Sequence, residues 1–329
     1  MTKIGPRKLW KTIDEAIVLR SVNSAFEQTP HPFLPEGELD LILEGFLDQF
    51  GSPHDIISIL LRLRAPEDTE DKQSILNHIL DPNFPALKLF FTLLRAKHDN
   101  PYEAMRLFMR KPIRDVDCPL PWSTQEDFYK NLSSLEGWDE SIWPIGDIKD
   151  FRYAQRMFHA PVLTTDIDKM PGQLGQSTLP FIKKDPGRAK GGFCVVSQYT
   201  IHPRHLDVDE KPDSGHVVAV KELNKDGSDF ARHWAKEVKA LSKMKALNKK
   251  HIVRFITAFT RGTTEDGVDH FNYYVVFEWA DGGNLRKLWE HYPNPPREAA
   301  FVKWIMEQLY GLSQALVAAH YLLDKETDW

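Results

Sequence analysis

Four short segments in the second half of the chain carry residues suited to holding a phosphate-bearing ligand. Lys221 ends the run Val-Ala-Val-Lys, and Glu237 follows it sixteen residues later. A lysine has a flexible stem and a compact charge that can reach phosphate oxygens, and an acidic partner would hold it in place. Gly191 and Gly192 form the earliest segment, and glycines in a turn let backbone N–H groups approach phosphates closely. The last segment, 277–285, leaves a predicted strand through a second glycine pair.

Each signal has a plainer interpretation when it is taken alone. A lysine after three apolar residues is usually a solvated strand end, and a glutamate on a helix is usually a surface charge. A glycine pair is usually an ordinary turn. The order of the four segments along the chain, and their positions on the predicted elements, favour one shared site over four unrelated features.

Strands and one helix are predicted to position these residues. The segments rich in β-branched and aromatic residues, and therefore predicted as strands, are 193–200, 217–223, 254–259 and 273–279, with a further strand before the Gly191–Gly192 turn. A Glu-Asp-Gly turn at 265–267 joins the last two strands. Between the two pairs, apolar residues recur at helical spacing: Phe230, Trp234, Val238 and Leu241. The order is therefore strand, strand, strand, helix, strand, strand, then helices.

A last helix is predicted from about Arg297 to Leu323. Its apolar stripe consists of Phe301, Ile305, Leu309, Leu312 and Leu316. Trp234, Trp289 and Trp304 are predicted as core residues, because large aromatic side chains are mostly buried.

The first half of the chain is predicted to be helical, without a catalytic residue pattern. Ser52-Pro53 and Asn100-Pro101 each place a capping residue before a proline, which marks a helix start. We expect an N-terminal arm over 1–35, a helical accessory region over 36–135 and a connector over 136–178 that is rich in proline, glycine and tryptophan.

Composition narrows the class of protein. The 329 residues are 42% hydrophobic and carry a net charge of −5, which predicts a folded chain and argues against nucleic-acid binding by bulk charge. Cys118 and Cys194 are too few for a disulfide framework, and the apolar runs are too short for a membrane span. We therefore expect a cytoplasmic or nuclear protein with neither a nucleic-acid nor a membrane partner.

Together the segments resemble the N-terminal lobe and hinge of a eukaryotic protein kinase, of a divergent serine/threonine type. The motifs that carry the resemblance are Ala189-Lys-Gly-Gly-Phe-Cys-Val-Val196, Val218-Ala-Val-Lys221, Glu237 and Phe277-Glu-Trp-Ala-Asp-Gly-Gly-Asn-Leu285. The helix ending at His320 resembles the one that precedes the kinase catalytic loop. The resemblance implies an α+β fold, with an N-lobe and hinge over 179–281 and the start of a helical C-lobe over 282–329.

The resemblance also implies a role for each site residue, with ATP as the ligand. Lys221 and Glu237 would be the catalytic pair that holds the α- and β-phosphates. The residues that would bind the nucleotide are Gly191 and Gly192 at the phosphates, Val196 and Ala219 over the adenine, Phe277 as gatekeeper, and the backbone of Glu278 and Ala280 at the adenine edge.

Two departures from the kinase pattern qualify the expected activity. The glycine loop has Ala189 and Cys194 where the family has glycines, which weakens the expected clasp on the phosphates. The sequence stops at Trp329, before the catalytic loop and the D-F-G segment. We expect no phosphate transfer by the 329 residues alone, no metal site, and Mg²⁺ binding only with the missing C-lobe. We also expect the last helix to lie uncovered, so that the isolated chain associates or frays after about Asn284.

Three functions remain compatible with this pattern. The first is an ATP-dependent protein kinase that transfers the γ-phosphate to serine or threonine of an unidentified protein substrate. The second is a pseudokinase or an ATP-binding regulator. The third is an interaction scaffold in which the helical region binds a protein partner and the kinase-like lobe is vestigial. The helical region either restrains the lobe or recruits a substrate.

Overall fold

The computed structural model describes residues 5–62, 71–120, 125–164, 166, 174–175, 177–190, 194–208, 213–223, 230–247, 249–265, 268–292 and 298–324. Helices occupy most of the chain up to residue 158, and an antiparallel sheet lies within 181–278. The predicted α+β class is confirmed.

The helices between residues 6 and 158 share a single buried cluster of apolar side chains. Together they are called the helical region below, which is wider than the accessory region predicted over 36–135. Its helices are α1 (Pro6–Arg20), α2 (Glu38–Glu44), α3 (Leu47–Phe50), α4 (Pro53–Leu61), α5 (Lys72–Ile79), α6 (Leu87–Arg95), α7 (Pro101–Arg110), α8 (Gln125–Ser133) and α9 (Ile145–Phe158). The cluster runs from Leu9 to Phe158 and includes the fully buried Trp143. Each of these helices is short, so tertiary burial rather than intrinsic propensity stabilises them.

The two predicted helix starts carry the expected capping bonds. The Ser52 hydroxyl accepts from the Asp55 N–H at 3.2 Å, and the Asp55 carboxylate accepts from the Ser52 N–H at 3.0 Å. The Asn100 side chain accepts from the Glu103 N–H at 3.2 Å. Both caps satisfy donors that would otherwise be left without a partner at the start of α4 and α7.

The arm and the connector contain helices that the sequence pattern does not predict. α1 begins after Gly5 and α9 after Pro144, and neither of these residues makes a side-chain capping bond. Both helices contribute to the buried cluster of the helical region, α1 through Leu9, Ile13 and Ile17. α1 has Pro6 at its first position but no capping side chain before it, and packing against α6 and its neighbours fixes both helices.

The sheet has five strands and a single crossing helix. Its strands are β4 (Phe181–Lys190), β5 (Cys194–Ile201), β7 (His216–Leu223), β8 (Phe255–Glu265) and β9 (Val268–Glu278), in the spatial order β4-β5-β7-β9-β8. All neighbours in this sheet are antiparallel. α10 (Phe230–Ala246) lies between β7 and β8 in sequence. The four strands and the helix predicted from periodicity are confirmed, and β8 and β9 extend further than predicted.

Two small strand pairs lie outside this sheet. β1 (Val22–Asn23) pairs antiparallel with β2 (Pro32–Phe33), within the predicted arm. β3 (Leu163–Thr164) pairs in parallel with β6 (Leu206–Asp207), and so joins the connector to the segment before β7.

Side-chain alternation gives the sheet two faces, and each of them carries a cluster of buried apolar side chains. α10 covers one face, where Val238 packs with Phe255, Ala258 and Val275. The opposite face is called the outer face below. It carries Phe181, Tyr199, Val218, Val220, Phe259, Tyr274 and Val276. Along β7, Val218 and Val220 therefore belong to the cluster of the outer face, and Leu223 packs against the cluster on the α10 face.

The last two helices expose most of their apolar residues. α11 (Leu285–His291) and α12 (Ala299–Asp324) follow the sheet. Leu309 is 55% and Leu316 58% exposed, as expected for an uncovered stripe. The prediction that Trp289 and Trp304 are core residues is wrong, because they are 65% and 46% exposed on these helices. Of the helices that the structure describes, none combines the length and the apolar character that crossing a bilayer demands.

Candidate functional site

Lys221 and Glu237 meet, as the sequence predicts. The Lys221 ammonium donates to Glu237 Oε1 at 3.1 Å, between β7 and α10. Their side chains are 28% and 41% exposed. Ion pairs of such exposure contribute about 0–1 kcal/mol to stability, because water screens them and two long side chains lose freedom. The pair therefore fixes the position of the ammonium group more than it stabilises the fold.

The strand register places three further candidate residues on the same face of the sheet as Lys221. Val196 on β5 lies opposite Lys221 on β7. On the other side of β7, Phe277 lies opposite Ala219. Directly opposed residues project to the same face, and residues two apart on one strand share that face. Val196, Ala219, Lys221 and Phe277 thus line the face that α10 covers in part.

The adjacent carboxylate is held on the other face. Glu222 follows Lys221 directly, and alternation turns its side chain away. The hydroxyl of Tyr274 donates to Glu222 Oε1 at 3.2 Å. Burial, followed by the charge of Glu222, raises the pKa of Tyr274, so this hydroxyl stays a donor. Glu237 is for this reason the carboxylate available to Lys221.

The segment after β9 makes a sharp turn before α11. The Glu278 N–H donates to Arg254 O at 2.9 Å, and its carboxylate pairs with the Arg254 guanidinium at 3.2 Å. Ala280 is exposed, and its carbonyl accepts from the Gly283 N–H at 3.4 Å. Gly283 has φ +74°, in the left-handed region that glycine adopts without strain. Phe277 thus stands at the end of the face that carries Lys221, whereas Glu278, opposite Val218, projects to the outer face, and the backbone of Glu278 to Ala280 leaves the end of β9.

The predicted phosphate-contacting glycines, Gly191 and Gly192, lie outside the described residues. The strands on either side are described, and Lys190 of β4 pairs with Val195 of β5. β4 and β5 therefore form a hairpin whose connection runs through the two glycines.

One residue of this face escapes the motif-based prediction. Val275 is fully buried, lies opposite Lys221 and packs in the same cluster as α10. It belongs to no motif, but counting back two residues from Phe277 along a strand identifies it.

The described residues offer no cluster of three or more histidine, cysteine, aspartate or glutamate side chains that would hold a metal ion. We therefore assign none of them to Mg²⁺.

Neither a family model nor a curated protein matches this sequence. The function is accordingly inferred from the contacts of the site residues themselves.

Proposed function

We propose that the sheet and α10 form an ATP-binding unit of the protein-kinase type, with α11 and α12 as the start of a helical C-lobe. The observation that carries this proposal is the 3.1 Å contact between Lys221 on β7 and Glu237 on α10. The succession of three strands, one helix and two strands supports it, as does the shared face of Val196, Ala219 and Phe277.

Each residue has a defined part in this proposal. The Lys221 ammonium binds the α- and β-phosphates, and Glu237 holds it against the face of the sheet. Val196 and Ala219 supply an apolar surface for the adenine ring. The backbone carbonyl of Glu278 and the N–H of Ala280 bond to the adenine edge, so side-chain identity at these two positions matters little. The resemblance to kinases assigns Gly191 and Gly192 to the phosphates.

Nucleotide binding is the activity that we propose for these 329 residues. They contain no H-R-D-x-x-x-x-N segment and no D-F-G segment, which in kinases position the substrate hydroxyl and Mg²⁺. Transfer of the γ-phosphate to serine or threonine is proposed only for a product that includes such segments, and Mg²⁺ binding goes with them.

Thermal unfolding with and without ATP tests the proposal. A ligand that binds only the folded state adds about 2.7 kcal/mol of stability at a hundred times its Kd, which raises the Tm by several degrees. We expect millimolar ATP to raise the Tm, and Lys221→Met to abolish that rise. The matched control is Lys183→Met, because Lys183 also lies on a strand of this sheet and pairs with a carboxylate, that of Asp185 at 3.1 Å. The absence of any ATP effect on the parent chain would refute nucleotide binding.

A scaffolding role is the second candidate. The exposed apolar residues of α11 and α12, such as Trp289 and Leu316, favour it, because large exposed apolar patches commonly mark protein contacts. In the ATP experiment this candidate predicts equal Tm values with and without nucleotide.

We propose a cytoplasmic or nuclear location, because two cysteines are too few for the disulfide framework typical of small secreted proteins.

A further inference from the structure

Residues 22–35 of the predicted arm, which we call the strap, contact the outer face of the sheet through Phe26. The strap contains β1 and β2 and joins α1 to the residues before α2. It lies across the face opposite α10, and so on the other side of the sheet from Lys221.

Phe26 is the centre of the contact between the strap and the outer face. Its ring centroid lies 5.2 Å from that of Phe181, 5.4 Å from that of Tyr199 and 5.3 Å from that of Tyr274. These rings belong to β4, β5 and β9, so one side chain contacts three strands. Aromatic pairs at such distances contribute beyond the area that they bury.

Polar contacts hold the strap on both sides of Phe26. The Ala25 N–H donates to Phe181 O at 2.6 Å, and the buried Ser24 hydroxyl donates to Leu179 O at 2.6 Å. The Glu27 carboxylate pairs with the guanidinium of Arg261, which also lies 5.5 Å from the centroid of Phe26. These bonds fix the register of the strap on the sheet, because they attach three positions, on both sides of Phe26, to Leu179, Phe181 and Arg261.

A second attachment fixes the other end of the strap. The Glu36 N–H donates to His205 Nε2 at 3.0 Å, and His205 Nδ1 bonds to Pro161 O at 3.0 Å. Arg204 pairs with Glu38 at 3.0 Å. Glu38 also pairs with Arg20 at the end of α1, at 2.7 Å. The strap is thus anchored at two sites, and both of its ends continue into helices whose apolar faces lie in the core of the helical region.

We infer that the outer face of the sheet is an interaction surface for the strap, and that the helical region acts as a fixed restraint on the sheet. A tethered recruitment module would need to move independently of the sheet. A segment anchored at both ends, with an aromatic side chain against three strands, does not permit such movement. The helical region therefore stiffens the sheet from the side opposite Lys221, whatever ligand that side binds.

Hydrogen–deuterium exchange of the full chain tests this inference. We expect Phe26→Ala to speed amide exchange at least tenfold in β4, β5 and β9, whose rings Phe26 contacts, and in β8, which carries Arg261. The matched control is Phe84→Ala, which removes the same side chain from the helical region at a position that is 59% exposed. It should leave exchange in the sheet unchanged. Faster exchange confined to residues 22–35 of the Phe26→Ala protein, with the sheet unaffected, would overturn the inference.

Two milder variants keep the test decisive if Phe26→Ala does not fold. Phe26→Leu retains apolar bulk, and Glu27→Gln removes the charge that pairs with Arg261 and also faces His31. Each should speed exchange in the strap and in β8 together. Faster exchange in one without the other would show that the two move separately and would also overturn the inference. ATP is not used, so the outcome does not depend on the nucleotide-binding proposal.

Discussion

Acidification should destabilise the protein through histidines that are buried in the neutral form, and His205 gives the clearest case. Its two ring nitrogens bond to Glu36 N–H and to Pro161 O, so the neutral ring accepts at Nε2 and donates at Nδ1. A proton on Nε2 would face a donor and break the bond to Glu36. Burial, opposed by the bond to Pro161, lowers the pKa of His205 to about 4.

The size of the effect follows from the difference in pKa between the folded and the unfolded chain. An unfolded histidine titrates near 6.5, so His205 alone contributes about 3 kcal/mol of stability. That contribution is complete above pH 6.5 and is lost as the pH falls towards 4, because only the unfolded chain gains the proton in this window.

Three other buried groups titrate in the same range. Burial lowers the pKa of His78 to about 4 and that of His159 to about 3. Both histidines therefore add to the loss of stability on acidification. Burial raises the pKa of Asp115 to about 6, which acts in the opposite direction. Near pH 5 the unfolded chain thus binds about two more protons than the folded chain at these four groups. These four groups should therefore lower the free energy of unfolding by about 2.7 kcal/mol for each unit by which the pH falls.

Urea denaturation at pH 7, 6 and 5 measures this dependence. Replacing His205 with glutamine should lower the slope by about one proton, or roughly 1.4 kcal/mol per pH unit. His54→Gln is the matched control, because His54 is exposed and its replacement should leave the slope unchanged. If His205→Gln and the parent chain showed the same slope between pH 6 and 5, the buried neutral imidazole would not be the cause.

Two further predictions concern stability. Lys221→Met and Glu237→Gln should each change the free energy of unfolding in urea by less than about 1 kcal/mol, because the pair is partly exposed; a larger loss would make the pair structural. A Cβ added at Gly311 in α12 would lie 2.2 Å from His251 Nε2. Gly311→Ala should therefore gain the usual helix stabilisation of up to about 1 kcal/mol only when His251→Ala is also present. An equal gain in both backgrounds, again in urea, would contradict this contact.

Local signals account for what the sequence predicts correctly. The strands of the sheet are dense in β-branched and aromatic residues, and α10 has a regular apolar stripe, so their order follows from periodicity. The partner of Lys221 also follows, because Glu237 lies on the one helix between the two pairs of strands. The polar ends of β8 and β9 resemble a loop, and only their pairing with each other extends them to Glu265 and Val268.

Tertiary contacts account for what the sequence does not predict. Phe26 stands in a polar stretch, and nothing near it in sequence marks a residue that contacts three strands of the sheet. α1 and α9 lack capping signals and depend on packing. Trp289 and Trp304 are of a residue type that is mostly buried, yet they are 65% and 46% exposed. For Phe26, α1 and α9 the deciding partners are distant in sequence, where propensity and spacing carry no information.

The strap also imposes an order on folding during synthesis. Arg261 follows its partner Glu27 by 234 residues. At translation rates of about 5–20 residues per second, the strap leaves the ribosome roughly 10–50 s before Arg261 does. The helices from α1 to α9 are complete well within that interval, while Phe26 has no sheet to contact. The nascent chain thus holds a finished helical region with an exposed aromatic side chain, and the strands that emerge later assemble on a template that is already in place.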